Sequence, residues 1–448
     1  MEPFRFHLFV CTQQKPEGVT SCPANGSMSV LGALDREIQA RGLAKDVQLT
    51  TCGCMGLCDE GPVIVVYPVG TWYRKVKASD VAEIIETHLI GGKSVDRLVW
   101  NDPAAMKALA AEHNEKFRTM MAARDKAGML PDALEQTIRS FQPSRVILTA
   151  LELDVFTAVG EGATAGVVAK DMDANPRSTG MLLNALVSLG LLTKNGDEYK
   201  NTPDSERFFT QQSRDNHRNG LLHTANIWHT WSTLTEAVRH GTRVPINRHA
   251  DATRDFIAGM QRNAKDRAPL LVKTLGTAGV RRILDLGGGS GAYSIAFAKA
   301  SSDIHCEILD VPEVAPLTKD YVQKAGVAIQ VDVRAGDMLH GGFGSGYDLI
   351  MLNAICHMFS EAQNQDIFRR AHEALAPNGR LVTQDFILNP AKTGPQQAAL
   401  FSLNMLVATE AGASYSEPEY TEWMRAVGFR EITRINLPGP SDLIVGTK

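Results

Sequence analysis

The chain has 448 residues, which at roughly 150 per domain sets a prior of about three domains. Charged residues make up 21% and the hydrophobic set 44%, so a disordered chain is excluded. With 46 Lys+Arg against 50 Asp+Glu the net charge is -4, which excludes a strongly basic nucleic-acid binder but not a local basic patch.

No apolar run approaches the ~18 residues that a bilayer span needs. The longest, Met181 to Leu192, is interrupted by Asn184, Ser188 and Gly190. The N-terminus, MEPFRFHLFV, has no basic region before its apolar stretch and no small-residue cleavage site. A cytoplasmic protein without a membrane partner is expected. There are seven cysteines, and five of them lie between Cys11 and Cys58. Such a cluster in a reducing compartment points to a metal site rather than a disulfide framework. Cys306 and Cys356 read as buried thiols.

The head is expected to run strand, helix, strand, strand, strand, helix. Phe4, Phe6, Leu8 and Val10 alternate with Arg5, His7 and Phe9, the period of a half-buried strand. Val30, Leu31, Leu34 and Ile38 recur at helical spacing, and Gly42 is a stop. Val47 to Thr51, Val63 to Tyr67 and Thr71 to Val76 read as strands, the last two joined at Pro68-Val69-Gly70. Ser79 or Asp80 can cap a final helix carrying Val81, Ile84, Ile85 and Leu89. This order, βαβ then ββα, is that of a thioredoxin-like fold.

Cys11, Cys22, Cys54 and Cys58 fit one cluster, because an iron-sulfur centre needs four converging thiolates. Cys54 and Cys58 sit in a glycine-rich loop, CGCMGLCDEGP, whose Gly53, Gly56 and Gly61 let the backbone curl round the sulfurs. A structural zinc site is the alternative, although the paired CxxC knuckles usual for zinc are absent. The pattern C-x10-C, then C-x3-C before GPVIVVYP and TWY strands, resembles the thioredoxin-like [2Fe-2S] ferredoxins over about the first 90 residues. Cys52 is a fifth thiol. The resemblance implies Cys54, not Cys52, as the third ligand.

Ala104 to Ala127 reads as a mostly polar helix, connecting or dimer-forming. From Ser144 an apolar helix carries Val146, Ile147, Leu148, Leu151, Leu153, Val155 and Phe156. Thr164 can cap a short helix, and Asn175-Pro176 starts another with Met181, Leu182, Leu183, Leu186 and Val187. Asn195-Gly196 then joins two short strands. This is a winged-helix pattern. A DNA-reading helix should carry groove-facing polar residues; this one offers Arg177 and Asn184 and is otherwise apolar, so an oligomerisation module is expected.

Arg282 to Gly291, RILDLGGGSG, reads as a buried strand ending in an acid and a glycine loop, followed by a helix. Gly287 and Gly289 let backbone pass against a ligand at the carboxyl end of a parallel strand. Gly287, Gly289 and Ala292 also satisfy a loose G-x-G-x-x-A, so a dinucleotide is the competing ligand. Asp285 gives D-x-G-x-G-x-G, and a carboxylate there suits a ligand carrying an ammonium, as S-adenosylmethionine (SAM) does. Asp310 ends the next strand, placed for ribose hydroxyls. Gly336-Asp337-Met338 ends the third, where an adenine-binding carboxylate and an apolar cover would sit. The fourth strand ends in Asn353-Ala354-Ile355-Cys356-His357, and the fifth ends at Asp385. Asn353 and His357 are therefore expected to face the crevice.

From about Leu130 the chain resembles the small-molecule O-methyltransferases typified by the hydroxyindole and plant phenolic enzymes. RSFQPSRVILTALELDVF, DLGGGSG, AGDM, NAICHMF and YTEWMRAVGF match that family in order. The resemblance implies a winged-helix homodimer, SAM bound at Gly287, Asp310 and Asp337, and His357 as general base. The family's Asp-Trp after that histidine is Met358-Phe359 here, and the plant enzymes' bracing Glu is Ser414; Asp385 can supply an orienting carboxylate. Trp228, with His223, His229 and Trp231 in the segment Leu221 to Ala252, is placed with Phe256 and Met260 either to roof the pocket or to serve ordinary helix packing between the winged-helix and cofactor domains. Phe401, Asn404, Met405 and Tyr415 are expected on the acceptor side.

The expected architecture is an α/β multidomain chain. Residues 1–95 form a thioredoxin-like [2Fe-2S] ferredoxin head, 96–130 a helical linker and 131–212 a winged-helix dimerisation domain. Residues 213–448 form a Rossmann-like, doubly wound SAM-binding domain with a helical substrate roof. The expected function is SAM-dependent methyl transfer to a small acceptor, an aromatic or other activated hydroxyl, with the head passing electrons, sensing redox state or recruiting a redox partner protein. S-methylation and a non-methylating SAM-binding redox enzyme are alternatives. A cluster-sensing DNA regulator is a third, which the acidic balance and the retained glycine loop disfavour.

Overall fold

The computed structural model describes residues 3–15, 19–246, 252–265 and 267–448. The chain forms two compact units, residues 1–141 and 142–448.

The first unit is built on a four-stranded sheet of β1 (Phe6–Cys11), β2 (Val47–Cys52), β3 (Ile64–Tyr67) and β4 (Thr71–Tyr73), in the order β2-β1-β3-β4. β1 and β2 are parallel, and β3 runs antiparallel to both β1 and β4. The helix Ser27–Ala40 is the right-length crossover between β1 and β2. Its Val30, Leu34 and Ile38 bury against Leu8, Val10, Ile64 and Val66 from one face of the sheet. The last strand is shorter than its β-rich sequence suggests. After Tyr73 the N–H groups of Lys75 and Val76 turn back to the carbonyls of Glu60 and Pro62, and Lys75 takes a φ of 51°, so the ladder ends. The closing helical segment Val81–Ile90 inserts Ile84, Ile85 and Leu89 into the same core.

A long helix, Pro103–Lys126, completes this unit. Asp102 caps it, its Oδ1 accepting from the Ala105 amide at 2.9 Å, with Pro103 in the first turn. It is not a free connector. Met106, Leu109 and Ala110 pack on Met55, Leu57, Val63 and Trp100, beside the cysteine loop.

The helix Phe141–Glu152 starts at the boundary between the units, and Val155–Val159, Ala165–Asp171 and Pro176–Ser188 follow it in the second. The single helix expected through Phe156 is two, because Asp154 adopts a φ of 58° between them. Asn175 caps the last of the four by accepting from the amides of Arg177 and Ser178. The wing contains one strand beyond the expected hairpin. β5 (Ala163–Thr164) pairs with β7 (Glu198–Asn201), which pairs with β6 (Leu192–Asn195).

A seven-stranded sheet follows, of β8 (Arg282–Leu286), β9 (His305–Asp310), β10 (Val331–Ala335), β11 (Tyr347–Asn353), β12 (Leu375–Asp385), β13 (Arg430–Ile435) and β14 (Asp442–Thr447). Its order is β10-β9-β8-β11-β12-β14-β13. The first five strands are parallel, and β14 is antiparallel to both its neighbours. The chain winds outward from β8 in one direction through β9 and β10, then returns to β11 on its other side. The switch point therefore lies between β8 and β11, where a doubly wound sheet opens a ligand crevice at its carboxyl edge.

Candidate active site

The glycine loop leaves β8 at that switch point. Gly287, Gly289 and Gly291 all have positive φ, at 69°, 58° and 75°. A Cβ on Gly287 would collide with Ile355 and come within 3.0 Å of Met338 Cε. Backbone, not side chain, therefore lines this edge of the crevice. Asp310 at the end of β9 holds the loop: Oδ2 accepts from the Gly289 amide at 2.7 Å and Oδ1 from the Val311 amide at 2.8 Å.

Two buried groups here carry polar atoms without partners among the described residues. Neither side-chain atom of Asn353 has a hydrogen bond, nor does Asp285 Oδ1. Unpaired buried polar atoms cost stability unless something satisfies them. The Asp285 Oδ2 accepts from Ser294 Oγ at 2.7 Å. Burial pushes the Asp285 carboxyl up to about 7, with the Asp310 charge adding to the rise and Ser294 opposing it. The orphaned polar atoms and the side-chain-free loop fit a polar, positively charged nucleoside such as SAM.

Met338 is buried beside the loop. Arg370 grips its carbonyl and fixes the turn. Asp337 uses its carboxylate locally: Oδ1 accepts from the Leu339 amide at 2.8 Å and Oδ2 pairs with His340 Nδ1 at 2.7 Å. The Leu339 amide, then His340, hold that carboxyl below the ordinary carboxylate range.

His357 stands on a short 3-10 turn after β11 and is buried. Its Nδ1 meets Asp385 Oδ1, at the end of β12, at 2.6 Å. Three further groups satisfy the same carboxylate. The His357 amide and the Tyr420 hydroxyl donate to Oδ2 at 3.1 and 3.0 Å, and the Phe386 amide donates to Oδ1 at 2.8 Å. The pair leaves Nε2 as the nitrogen able to take a proton. Tyr420 and Phe386 were not foreseen. Tyr420 carried no local signal, because its hydroxyl is brought to Asp385 only by helix packing. Ser414 is buried, with its hydroxyl unpartnered among the described residues, and Asp385 provides the carboxylate that the sequence lacks at that position.

Aromatic rings wall the histidine. Phe401 stands edge-on to His357 with ring centroids 4.7 Å apart, and Phe386 stacks on Phe401 at 3.9 Å. Phe401 belongs to the helix Gln396–Ala408, which packs against Arg218–Trp231 and Leu234–His240. Asn404 spends its amide oxygen on Trp231 Nε1 at 2.8 Å, tying these helices together. Met405 is buried on the same helix. The Tyr415 hydroxyl donates to the Phe359 carbonyl at 2.6 Å and so braces the loop after His357 rather than facing an acceptor. Helix Ala252–Ala264 supplies the other wall: Ile257 lies over Gly289, while Phe256 is exposed and edge-on to His223 at 5.2 Å. Met260 is partly buried on that helix, and Trp228 lies under the Arg145 guanidinium at 5.9 Å. The stretch 247–251 of the expected roof lies outside the described residues.

In the first unit four sulfurs converge. Cys54 and Cys58 Sγ are 3.5 Å apart, and the Gly56 amide donates to Cys54 Sγ at 3.2 Å. Cys22 hydrogen-bonds Cys11 and Cys58, and Cys54 also hydrogen-bonds Cys11. The contact with Cys11 raises the Cys22 thiol far above its ordinary value and lowers that of Cys54. A Cβ on Gly61 would lie 2.7 Å from Cys22 Sγ, so only glycine leaves this space. Cys52 sits opposite Cys11 in the β1–β2 register and hydrogen-bonds none of them; burial pushes it up to about 11. Converging soft donors in a glycine-lined pocket fit an iron-sulfur cluster. His113 is the residue the sequence reading missed: its ring nitrogen and the Cys54 and Cys58 sulfurs all lie within 4.8 Å of one another. Cys306 and Cys356 are buried elsewhere.

Comparison with known proteins places this geometry. A family model for the O-methyltransferase dimerisation domain matches residues 135–211, and one for the O-methyltransferase domain matches residues 231–430. The 3-hydroxy-5-methyl-1-naphthoate 3-O-methyltransferase of Streptomyces sahachiroi is 29% identical over 332 residues, 71% of this chain and 95% of that protein. Acetylserotonin O-methyltransferase of Bos taurus is 26% identical over 337 residues, 70% of this chain and 97% of that one. The solved structure of PigF with SAH is 28% identical with a TM-score of 0.65, covering 71% of this chain and 99% of that one. A switch-point crevice with this glycine loop, on a chain so matched, is that of a SAM-dependent methyltransferase. Residues 135–211 and 231–430 thus carry an O-methyltransferase dimerisation domain and an O-methyltransferase domain.

Proposed function

We propose that the protein methylates a hydroxyl on a small aromatic acceptor, with His357 as general base, and that its head holds a [2Fe-2S] cluster. The observation that carries the first part is the Asp385–His357 pair. Bound SAM supplies a methyl group already activated on a sulfonium. Gly287 and Gly289 would give it backbone contact, Asp310 would take ribose hydroxyls, Asp285 would balance its ammonium, and Asn353 and the Asp337–Met338 turn would hold its base. His357 Nε2 takes the acceptor's proton as the oxygen becomes nucleophilic, and Asp385 compensates the imidazolium that results. Phe386 and Phe401 exclude water and orient a flat acceptor. Relatives named for hydroxyl methylation support the choice of oxygen. Others are named for carbon and nitrogen methylation, so the acceptor atom needs its own test. Turnover with methyl-labelled SAM across phenols, thiols and amines is that test. Labelled phenol ethers are expected; label only on thiols, or none on any acceptor, would reject this reading.

Asp285 gives the cofactor step a pH signature. Its carboxyl titrates near 7 in the fold, well above the ordinary range. A raised carboxyl pKa stabilises the fold at low pH, and that contribution is lost as pH rises through about 7. A cationic ligand selects the ionised form. SAM binding is therefore expected to release close to one proton at pH 6, with affinity rising up to ~tenfold per pH unit until about 7 and flat beyond. Calorimetry in buffers of different ionisation enthalpy measures this directly. The release should vanish in Asp285→Asn.

The head's topology, a β2-β1-β3-β4 sheet with β3 reversed, and its four converging thiols support a thioredoxin-like ferredoxin. Such a cluster would carry single electrons to or from a redox partner protein, or report redox state. Anaerobically reconstituted protein should absorb in the visible region. Changing Cys11, Cys22, Cys54 or Cys58 to Ser should remove most of that absorbance, while Cys52→Ser should keep it. The opposite pattern would reassign the ligands.

The dimerisation domain supports a homodimer. On the helix Asp132–Arg139, Leu134 and Ile138 are 47% and 56% exposed, four residues apart on one face, and Phe141 follows at 51%. An apolar stripe of this kind needs a covering surface. Light scattering should give a dimeric mass that falls to monomeric for the double variant Leu134→Asp, Ile138→Asp. No helix among the described residues is long and apolar enough to cross a membrane.

A further inference from the structure

The helix Pro103–Lys126 has no fully buried residue, yet its less exposed positions fall on one line. Met106, Leu109, Ala110, His113 and Phe117 are spaced by three, one, three and four residues, a single helical face. That face meets the cysteine loop. Gly56, with a φ of 79°, is the point of closest approach: a Cβ there would stand 3.0 Å from Ala110 Cβ. One turn further along, His113 reaches the Cys54–Cys58 edge. Lys15, a lysine only 6% exposed, contacts His113 Nε2, lies 4.8 Å over the Phe117 ring and hydrogen-bonds Cys54. A buried ammonium needs nearby negative charge, and the cysteine sulfurs are what it faces.

We propose that the metal centre extends beyond its four thiols: His113 and Lys15 form its outer wall, and the helix Pro103–Lys126 docks on the loaded centre. This rests on the cluster reading above. The physical reason for coupling is the small area that the helix buries. A helix whose contacts are one narrow stripe is held weakly, so its docking depends on the shape of the loop beneath it. Metal ligation by Cys54 and Cys58 fixes the intervening Met55-Gly56-Leu57 in the form that receives Ala110. It also concentrates thiolate charge opposite Lys15. In return the helix places His113 over the Cys54–Cys58 edge, while Cys54 itself stays exposed.

The test uses the full chain, loaded anaerobically with iron and sulfide or stripped with a chelator. Hydrogen exchange over residues 106–117 should slow by about tenfold or more on loading. Ala110→Leu, which props the helix off Gly56 without touching a cysteine, and His113→Ala should each lose iron to a chelator about fivefold faster or more. Their visible spectra should keep the wild-type shape. Exchange indifferent to loading, or iron loss at the wild-type rate in both variants, would overturn the proposal. So would a changed spectral shape in His113→Ala, which would make His113 a ligand instead of a wall. A protein that never colours on reconstitution rejects the cluster reading and this proposal together, whereas a coloured protein with an indifferent helix rejects this one alone.

Discussion

Replacing His357 with Ala is expected to lower kcat for a phenolic acceptor by about 10²–10⁴-fold while leaving SAM affinity within about twofold. The expectation follows from where the histidine sits. Its Nδ1 is committed to Asp385 at 2.6 Å, and it belongs to the turn after β11 rather than to the glycine loop. The loss should shrink for acceptors that ionise more readily, because a pre-formed phenolate needs no base. A plot of the loss against acceptor pKa therefore separates proton removal from simple positioning. Asp385→Asn should fall in the same range, since an amide cannot compensate an imidazolium and leaves the donors now on Oδ1 and Oδ2 competing for one oxygen. Wild-type turnover by His357→Ala on a weakly acidic phenol would remove the base from the account.

The second large effect is expected at the loop. Gly287→Val should weaken SAM binding by about 100-fold or more, near 3 kcal/mol. Two costs combine. A β-branched residue at a φ of 69° is strained by about 1–3 kcal/mol. Its side chain also enters space occupied by Ile355 and Met338, and overpacking of that kind costs a further ~1–3 kcal/mol. Calorimetric titration with SAM measures the loss, and thermal melting of the free enzyme separates it from unfolding. Gly289→Ala is the milder control: a Cβ there meets only Ile257, at 3.7 Å, so the strain of its φ is the main cost.

Much of this was legible before any coordinates. Alternation placed β1, and a helical stripe of Val30, Leu34 and Ile38 placed the crossover, because both follow from local periodicity. The D-x-G-x-G-x-G run marked the cofactor edge, since only glycine permits that backbone at that approach. The crowding of five cysteines into the first 58 residues pointed to a metal site, and the resemblance to a ferredoxin chose Cys11, Cys22, Cys54 and Cys58 among them. Other features had no local signature. The break at Asp154 depends on one dihedral angle inside an otherwise continuous apolar pattern. β5 is two residues long and exists only because β7 lies beside it. Tyr415 looked like a pocket residue by position, yet its hydroxyl is spent on Phe359.

The amino-acid sequence by itself determined which chemical groups are present and which backbone shapes are allowed: clustered thiols, glycines at a ligand loop, a histidine and an acid at the ends of successive strands. Tertiary structure alone decided how those groups divide their hydrogen bonds. It brought the Tyr420 hydroxyl to Asp385, committed Asn404 to Trp231, and carried His113 from a helix that reads as a connector to the Cys54–Cys58 edge. The reason is range. Periodicity and backbone conformation are settled within a few residues, whereas each of these pairings joins groups 35 to 173 positions apart and is fixed only when packing closes around them.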